Sequence, residues 1–246
     1  MQPRLTRPLI FVHIFKAGGT SLRKIIRQNN KGAPVQLFNG NFGQNNEWRA
    51  RPQDERDSFG LLLGHQHYGN HEYLSAPASY MTVLRDPIDR VISYYYFVLR
   101  YKDHHLYKHG FTDDTTLSDF VHHGRNIELD NIQTRLLNPQ PEKQYPFGSV
   151  DQSMLDIALE NLEKIDRVGI VERMGDFLEL LRQAEGWTIE TEFHENRTAD
   201  RPRVHDHDES VLERIRELNR FDIVLHEATR KKFEREWTEC LAAVQG

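Results

Sequence analysis

A lysine followed by two glycines and two hydroxyl residues, Lys16-Ala17-Gly18-Gly19-Thr20-Ser21, is the first stretch of this chain whose residue types and spacing could do chemistry. Glycines let the backbone turn sharply and bring its N–H groups against an oxyanion. A following helix adds the positive end of its dipole, and the lysine supplies a full charge. The stretch is built to hold a phosphate group, although an ordinary strand-to-helix turn capped by Thr20 or Ser21 would use the same residues. It is not the nucleoside-triphosphatase loop, because there the lysine follows the glycines and here it precedes them. A second constellation, Arg85-Asp86-Pro87-Ile88-Asp89-Arg90-Val91-Ile92-Ser93, offers an arginine suited to forked recognition of a phosphate and a serine two turns further on. The alternative for this stretch is an Arg85 paired with Asp86 or Asp89 and an exposed Ser93. Two anion-binding devices at the ends of parallel strands suit one nucleotide bearing two separate phosphates.

Such residues need elements to position them. Leu9 to Phe15 is a continuous apolar run, predicted as a buried strand, and Leu22, Ile25 and Ile26 then follow at helical spacing, so the glycine loop joins a strand to a helix. Phe59 to Leu63, Met81 to Leu84 and Val168 to Val171 are three more candidate buried strands. After Leu84, Asp86 can cap a helix and Pro87 fits its first turn. Ile88, Val91, Ile92, Tyr95, Val98 and Leu99 then form one apolar stripe. Further helices are predicted at Leu117 to Val121, Asp130 to Leu137, Ser153 to Leu162, Arg173 to Ala184, Glu209 to Leu218 and Asp222 to Trp237. Lys31 to Asp57 and Asn138 to Gly148 are polar and punctuated by Pro or Gly, hence loop-rich. Strands alternating with helices imply an α/β layered fold.

Composition narrows the partners. The chain has 246 residues, with 32 Lys+Arg against 37 Asp+Glu and a net charge of −5. No global positive field is available for nucleic acid or an anionic membrane, so an anion must be bound locally. A hydrophobic content of 38% is too high for a disordered chain. The longest apolar runs fall short of the roughly 18 residues of a membrane span, and no signal peptide or transmembrane segment is expected. The single cysteine, Cys240, cannot form an internal disulfide and suits a cytoplasmic location.

Phe11 through Leu22 resembles the 5′-phosphosulfate-binding loop of the sulfotransferases, in the version carried by heparan sulfate 2-O-sulfotransferase and its bacterial relatives. Val83-Leu84-Arg85-Asp86-Pro87 through Ser93-Tyr94-Tyr95 is similar to their 3′-phosphate segment. The resemblance continues through Gly64-His65, residues 130 to 135, residues 168 to 172 and the stretch Asp222 to Leu225. It implies a P-loop-like three-layer α/β fold, a central mainly parallel sheet flanked by helices, in one domain spanning residues 1–246. It also implies 3′-phosphoadenosine 5′-phosphosulfate (PAPS) as co-substrate. Lys16, Ala17, Gly18, Gly19, Thr20 and Ser21 would then hold its 5′ end, with Lys16 stabilising the departing phosphate oxygen. Arg85 and Ser93 would hold the 3′ phosphate, and Arg197 would close over the nucleotide from a segment that also carries Asn196, Thr198, Arg201 and Arg203. In the family a Gly-His pair supplies the base, which points to His65, with His67 as the substitute. Neutral imidazole titrates near 6.5, suited to accepting a hydroxyl proton. The family usually has proline and threonine where this chain has Phe15 and Ala17, so one hydroxyl contact is absent from the loop.

Other readings use the same residues. His65-Gln66-His67 with His71 and Glu72, and His205-Asp206-His207-Asp208, have ligand-like spacing for zinc, but neither comes with an independent reason for a metal, and none is expected. A nucleotide kinase would share the strand, loop and helix layout, and a nucleotide-binding module without chemistry would share both phosphate sites. Glu172 could position a substrate group or flank a helix. Asn131, Gln133 and Arg135 lie on one predicted helix that either reaches the site or is solvated. A carbohydrate hydroxyl is the acceptor favoured by resemblance, with Tyr94, Tyr95 and Tyr96 as stacking faces or as core.

Overall fold

Five parallel strands form the sheet in the computed structural model, which describes residues 6–40, 43–139, 146–189 and 202–245. They are β1 (Leu9–Val12), β2 (Val35–Phe38), β3 (Leu61–Gly64), β4 (Ser79–Leu84) and β5 (Arg167–Ile170), in the order β2-β3-β1-β4-β5. Every neighbouring pair is parallel, with Leu9 opposite both Leu61 and Ser79, so the sheet is parallel throughout. Between its two neighbours, β1 is buried at all four positions, as a central parallel strand covered on both faces must be.

The helices are α1 (Gly19–Asn29), α2 (Gly43–Arg49), α3 (Gln53–Asp57), α4 (Pro87–Arg100), α5 (His105–Lys108) and α6 (Leu117–His123). They continue with α7 (Ile132–Leu136), α8 (Gln152–Lys164), α9 (Met174–Glu185), α10 (Glu209–Leu218) and α11 (Arg220–Gln245). With helices flanking the central sheet, the architecture is the expected three-layer α/β fold. One apolar core surrounds the sheet, and a second fills the space between α4, α6 and α10.

Three expectations are corrected. The apolar run to Phe15 outlasts its strand: after Val12 the chain turns, Ala17 N–H donating to the Ile14 carbonyl at 3.2 Å, while Ile14 stays 1% exposed. Burial, rather than strand pairing, explains its apolar character. Residues 31–57, expected as loop, contain β2, α2 and α3; β2 is a short edge strand whose side chains are mostly half-buried or exposed, so it lacks a buried strand's pattern. The helix expected from Asp130 starts at Ile132, because Asn131 sits in the left-handed region at φ 48°.

Local sequence accounts well for α4. Asp86 accepts a hydrogen bond from Asp89 N–H at 2.8 Å and Pro87 occupies the first turn. Val91, Ile92, Tyr95 and Val98 are buried as the stripe predicts, and Arg90 and Tyr94 join them. The chain leaves β1 through α1 toward β2, whereas β4 lies on the other side of β1. Their diverging ends make the kind of crevice in which α/β proteins bind ligands.

Candidate functional site

The loop leaving β1 carries its lysine under strain. Lys16 has φ 64°, a left-handed conformation that costs a residue with a β-carbon on the order of 1–3 kcal/mol. Its carbonyl receives a hydrogen bond from Arg85 Nη1 at 2.9 Å, and its ammonium lies 4.2 Å above the Phe97 ring of α4. Gly18, itself left-handed, caps α1. Gly19 is required for space: a β-carbon there would come within 1.9 Å of the His13 ring. The opening turn of α1 offers the amides of Gly19, Thr20 and Ser21, which helix geometry leaves without intrahelical acceptors. Ala17 differs from the other loop residues. Its side chain is 1% exposed and its amide is committed to Ile14, so neither faces an incoming anion.

Arg85 stands one residue past β4. Its Nε and Nη2 fork onto Asp89 Oδ2 at 2.9 and 2.5 Å, while Nη1 reaches both the Lys16 carbonyl and Ser93 Oγ, the latter at 3.2 Å. The pairing with Asp89 weighed from sequence therefore occurs, yet Ser93 is a partner of Arg85 rather than merely exposed surface. The backbone of Arg85 is gripped as well. Gln133 Oε1 accepts from its N–H at 3.0 Å and Gln133 Nε2 donates to its carbonyl at 2.9 Å. Next along the chain, Asp86 N–H donates to Glu172 Oε1 at 2.8 Å, and Glu172 Oε2 lies 3.3 Å from His226 Nε2. Burial works against the Glu172 charge, but hydrogen bonds from His226 and the Asp86 amide outweigh it and hold the carboxyl below its usual range.

His65 follows β3 directly and is stacked between two rings, Phe15 at 3.8 Å with planes 3° apart and His13 at 4.2 Å. Its Nδ1–H donates to the His13 carbonyl at 2.7 Å. A carbonyl can only accept, so this bond assigns the proton to Nδ1 and leaves the lone pair on Nε2. Burial lowers the pKa to about 4; the His13 hydrogen bond raises it and the charge of Arg23 adds to the lowering. His13 is driven well below its ordinary value by burial and then by the charges of His65, Arg23 and Lys16. Arg23, one turn into α1, is thus part of this electrostatic environment, a neighbour that its sequence context did not announce.

His67 has a different environment. It is 3% exposed, its Nδ1 lies 3.0 and 3.1 Å from the carbonyls of Arg135 and Asn138, and burial lowers its pKa to about 4. It ties the β3 loop to α7. His71 Nδ1 is 3.0 Å from the Tyr80 hydroxyl. No group of three or more His, Cys, Asp or Glu side chains is poised to hold a metal among the described residues, so neither zinc arrangement weighed from sequence assembles there. Asn131, Gln133 and Arg135 are buried at 4%, 0% and 2% exposure, which rules out a solvated helix face. Arg135 pairs with buried Asp130, Asn131 Oδ1 accepts the amides of Phe221 and Asp222, and Gln133 alone of the three touches Arg85. Tyr94 and Tyr95 are core residues. Asn196, Arg197, Thr198 and Arg201 lie outside the described residues; Arg203 is exposed, its amide donating to Asp206 at 2.7 Å.

Two local cations, Lys16 and Arg85, thus share one hydrogen-bonded unit with Ser93, flanked by the opening turn of α1 and an aromatic-stacked imidazole. Compared with known proteins, the chain matches the model of the sulfotransferase family over residues 5–227. No curated protein matches it. No helix among the described residues is long and apolar enough to cross a membrane.

Proposed function

The chain belongs to the sulfotransferase family, and from that premise we propose that it moves a sulfuryl group from 3′-phosphoadenosine 5′-phosphosulfate to a carbohydrate hydroxyl, with His65 as general base. The observation that carries the reading is the guanidinium of Arg85, which bonds the Lys16 carbonyl and the Ser93 hydroxyl at once. The Lys16 ammonium rests over Phe97, four residues beyond Ser93 on α4 and hence about 6 Å along the helix. Lys16 and Arg85 therefore both reach α4, at residues one helical turn apart. The donor set, two cations with hydroxyls and helix-opening amides, fits a ligand with anions on both the 3′ and 5′ oxygens of one ribose.

When bound, the donor supplies an activated sulfuryl group whose leaving group is a phosphate. Arg85 and Ser93 hold the 3′ phosphate and so set where the sulfur lies, while Asp89 keeps the guanidinium oriented. Lys16 and the opening amides of α1 balance the charge that grows on the departing phosphate oxygen. His65 Nε2 takes the acceptor's proton as the acceptor oxygen bonds to sulfur. A base of this kind is worth about 10²–10⁴ in rate. Its pKa of about 4 makes it a weak base in the free protein, and anions bound beside Lys16 favour its protonated form and strengthen it. His67, with its ring enclosed and Nδ1 against two carbonyls, is the poorer candidate. Cys240 suits a reducing compartment, and we place the protein in the cytoplasm on that ground.

Isothermal titration with adenosine 3′,5′-bisphosphate and with ATP, followed by a sulfuryl-transfer assay across carbohydrate acceptors, tests the proposal. Tighter binding of the bisphosphate together with transfer is the expected result. Preference for ATP with phosphoryl transfer would instead make the chain a kinase, and bisphosphate binding without transfer a module lacking chemistry.

A further inference from the structure

We infer that Gln133 is a positioning residue for 3′-phosphate recognition: it fixes the backbone of Arg85 and thereby the depth at which the guanidinium meets the ligand. The inference rests on the reading of Arg85 as the 3′-phosphate clamp.

Arg85 lies beyond the last residue of β4, where Leu84 still pairs with Ile170, so its own peptide groups fall outside the strand ladder. Peptide groups withdrawn from water must find partners elsewhere. The Gln133 carboxamide meets both, accepting from the N–H at 3.0 Å and donating to the carbonyl at 2.9 Å, much as one residue of an added strand would. At neutral pH a primary amide of this length places a donor and an acceptor side by side there, which an ionised carboxylate cannot. Glutamate offers two acceptors, leucine neither, and asparagine falls one methylene short.

The arm is rigidly mounted. Gln133 is fully buried, and its backbone N–H donates to Asp222 Oδ2 at 3.1 Å. The Thr134 amide and hydroxyl donate to Asp222 Oδ1 at 2.7 and 2.8 Å. In return, Asn131 Oδ1 accepts the Phe221 and Asp222 amides. The start of α7 and the start of α11 are therefore joined by reciprocal hydrogen bonds, and Gln133 extends from that joint to Arg85. The Nη1 contacts of Arg85 with Lys16 and Ser93 depend on where its Cα is held, and functional geometry of this kind tolerates displacement of only about 0.5 Å. Loss of the Gln133 bridge should weaken recognition of the 3′ phosphate more than that of the 5′ end, whose loop Arg85 touches only at the Lys16 carbonyl.

The test compares affinities for adenosine 3′,5′-bisphosphate and adenosine 5′-monophosphate by isothermal titration of the full chain, in wild type, Arg85→Ala, Gln133→Leu and Gln133→Glu. The readout is the ratio of the two affinities. In both Gln133 variants we expect that ratio to fall by roughly tenfold to a hundredfold, the worth of one charge-assisted hydrogen bond, with 5′-monophosphate binding nearly unchanged. In Gln133→Glu the ratio should recover, relative to wild type at the same pH, as acid protonates the carboxyl and restores a donor beside an acceptor. If Gln133→Leu does not fold, the near-isosteric Gln133→Glu decides. A folded Gln133→Glu with the wild-type ratio at pH 8, or with both ligands weakened alike, overturns the inference. A ratio that Arg85→Ala leaves unchanged overturns the clamp reading itself, a result distinguishable from a failure at Gln133.

Discussion

The protonation of His65 should depart far from that of a free imidazole. Stacking between Phe15 and His13 removes water from both faces of the ring, and burial brings its pKa from about 6.5 down to about 4. At pH 5.5 a group titrating at about 4 is about 97% neutral, whereas one titrating at about 6.5 is only about 9% neutral, a tenfold difference in available base. The His65 Cε1–H resonance, assigned by its disappearance in His65→Gln, can be followed by NMR in the unliganded chain and should show almost no titration between pH 7.5 and 5.5. Replacing Phe15 by leucine opens one face to water and should move the titration back toward 6.5. Adding adenosine 3′,5′-bisphosphate should also raise it, because the new negative charge favours imidazolium. In the sulfuryl-transfer assay, His65→Gln should lose about 10²–10⁴ in turnover while bisphosphate affinity stays within about threefold of wild type. A resonance that titrates near 6.5 in both wild type and Phe15→Leu refutes the burial argument, and undiminished turnover in His65→Gln refutes the role of base.

Three further outcomes follow from the geometry. Gly19→Ala places a β-carbon 1.9 Å from the His13 ring and should destabilise the fold by about 1–3 kcal/mol, the usual cost of overpacking, seen as a lower Tm; an unchanged melting curve would contradict the close approach. Arg85→Lys keeps the charge but loses the fork onto Asp89, and should weaken adenosine 3′,5′-bisphosphate at least about tenfold with little effect on the 5′-monophosphate; equal affinities for the bisphosphate would count against the clamp. Burial pushes the carboxyl of Glu236 on α11 up to about 7, with Lys232, Arg167 and Arg235 opposing the rise. Since the folded value lies above the unfolded one, its stabilising contribution is complete below about pH 4.5 and disappears as pH rises through about 7. Glu236→Gln should therefore gain about 1–2 kcal/mol over wild type at pH 8 and little at pH 4.5, the gain being reduced by the partial exposure of the side chain; melting curves whose difference is the same at both pH values would remove Glu236 from this role.

Alternation of apolar runs with helical spacing was enough to make the layered α/β class legible, and the strand, glycine loop and helix around Lys16 needed only their own neighbours. The α4 start was equally local, because Asp86 caps the amide of Asp89 three residues on and Pro87 needs nothing beyond its own ring. Edge strand β2 is not legible in the sequence, because a strand at the sheet margin with half-exposed side chains carries no buried pattern. His65 and His67 are two residues apart and chemically identical, so composition could not tell which faces the loop leaving β1 and which is enclosed against α7. The bridge from Gln133 to Arg85 joins residues 48 positions apart, and no short-range periodicity encodes that distance.

Residue type and near-neighbour spacing thus determined what chemistry was available here: a cationic glycine loop, an arginine just before a helix with a serine two turns into it, and an imidazole after a buried strand. Tertiary structure alone decided that Arg85 would bond Lys16 and Ser93 together, that Ala17 would turn inward, and that Gln133 would hold the clamp. Those outcomes depend on the order of strands in the sheet and on which buried polar groups find partners across it, and both are settled only when distant segments pack.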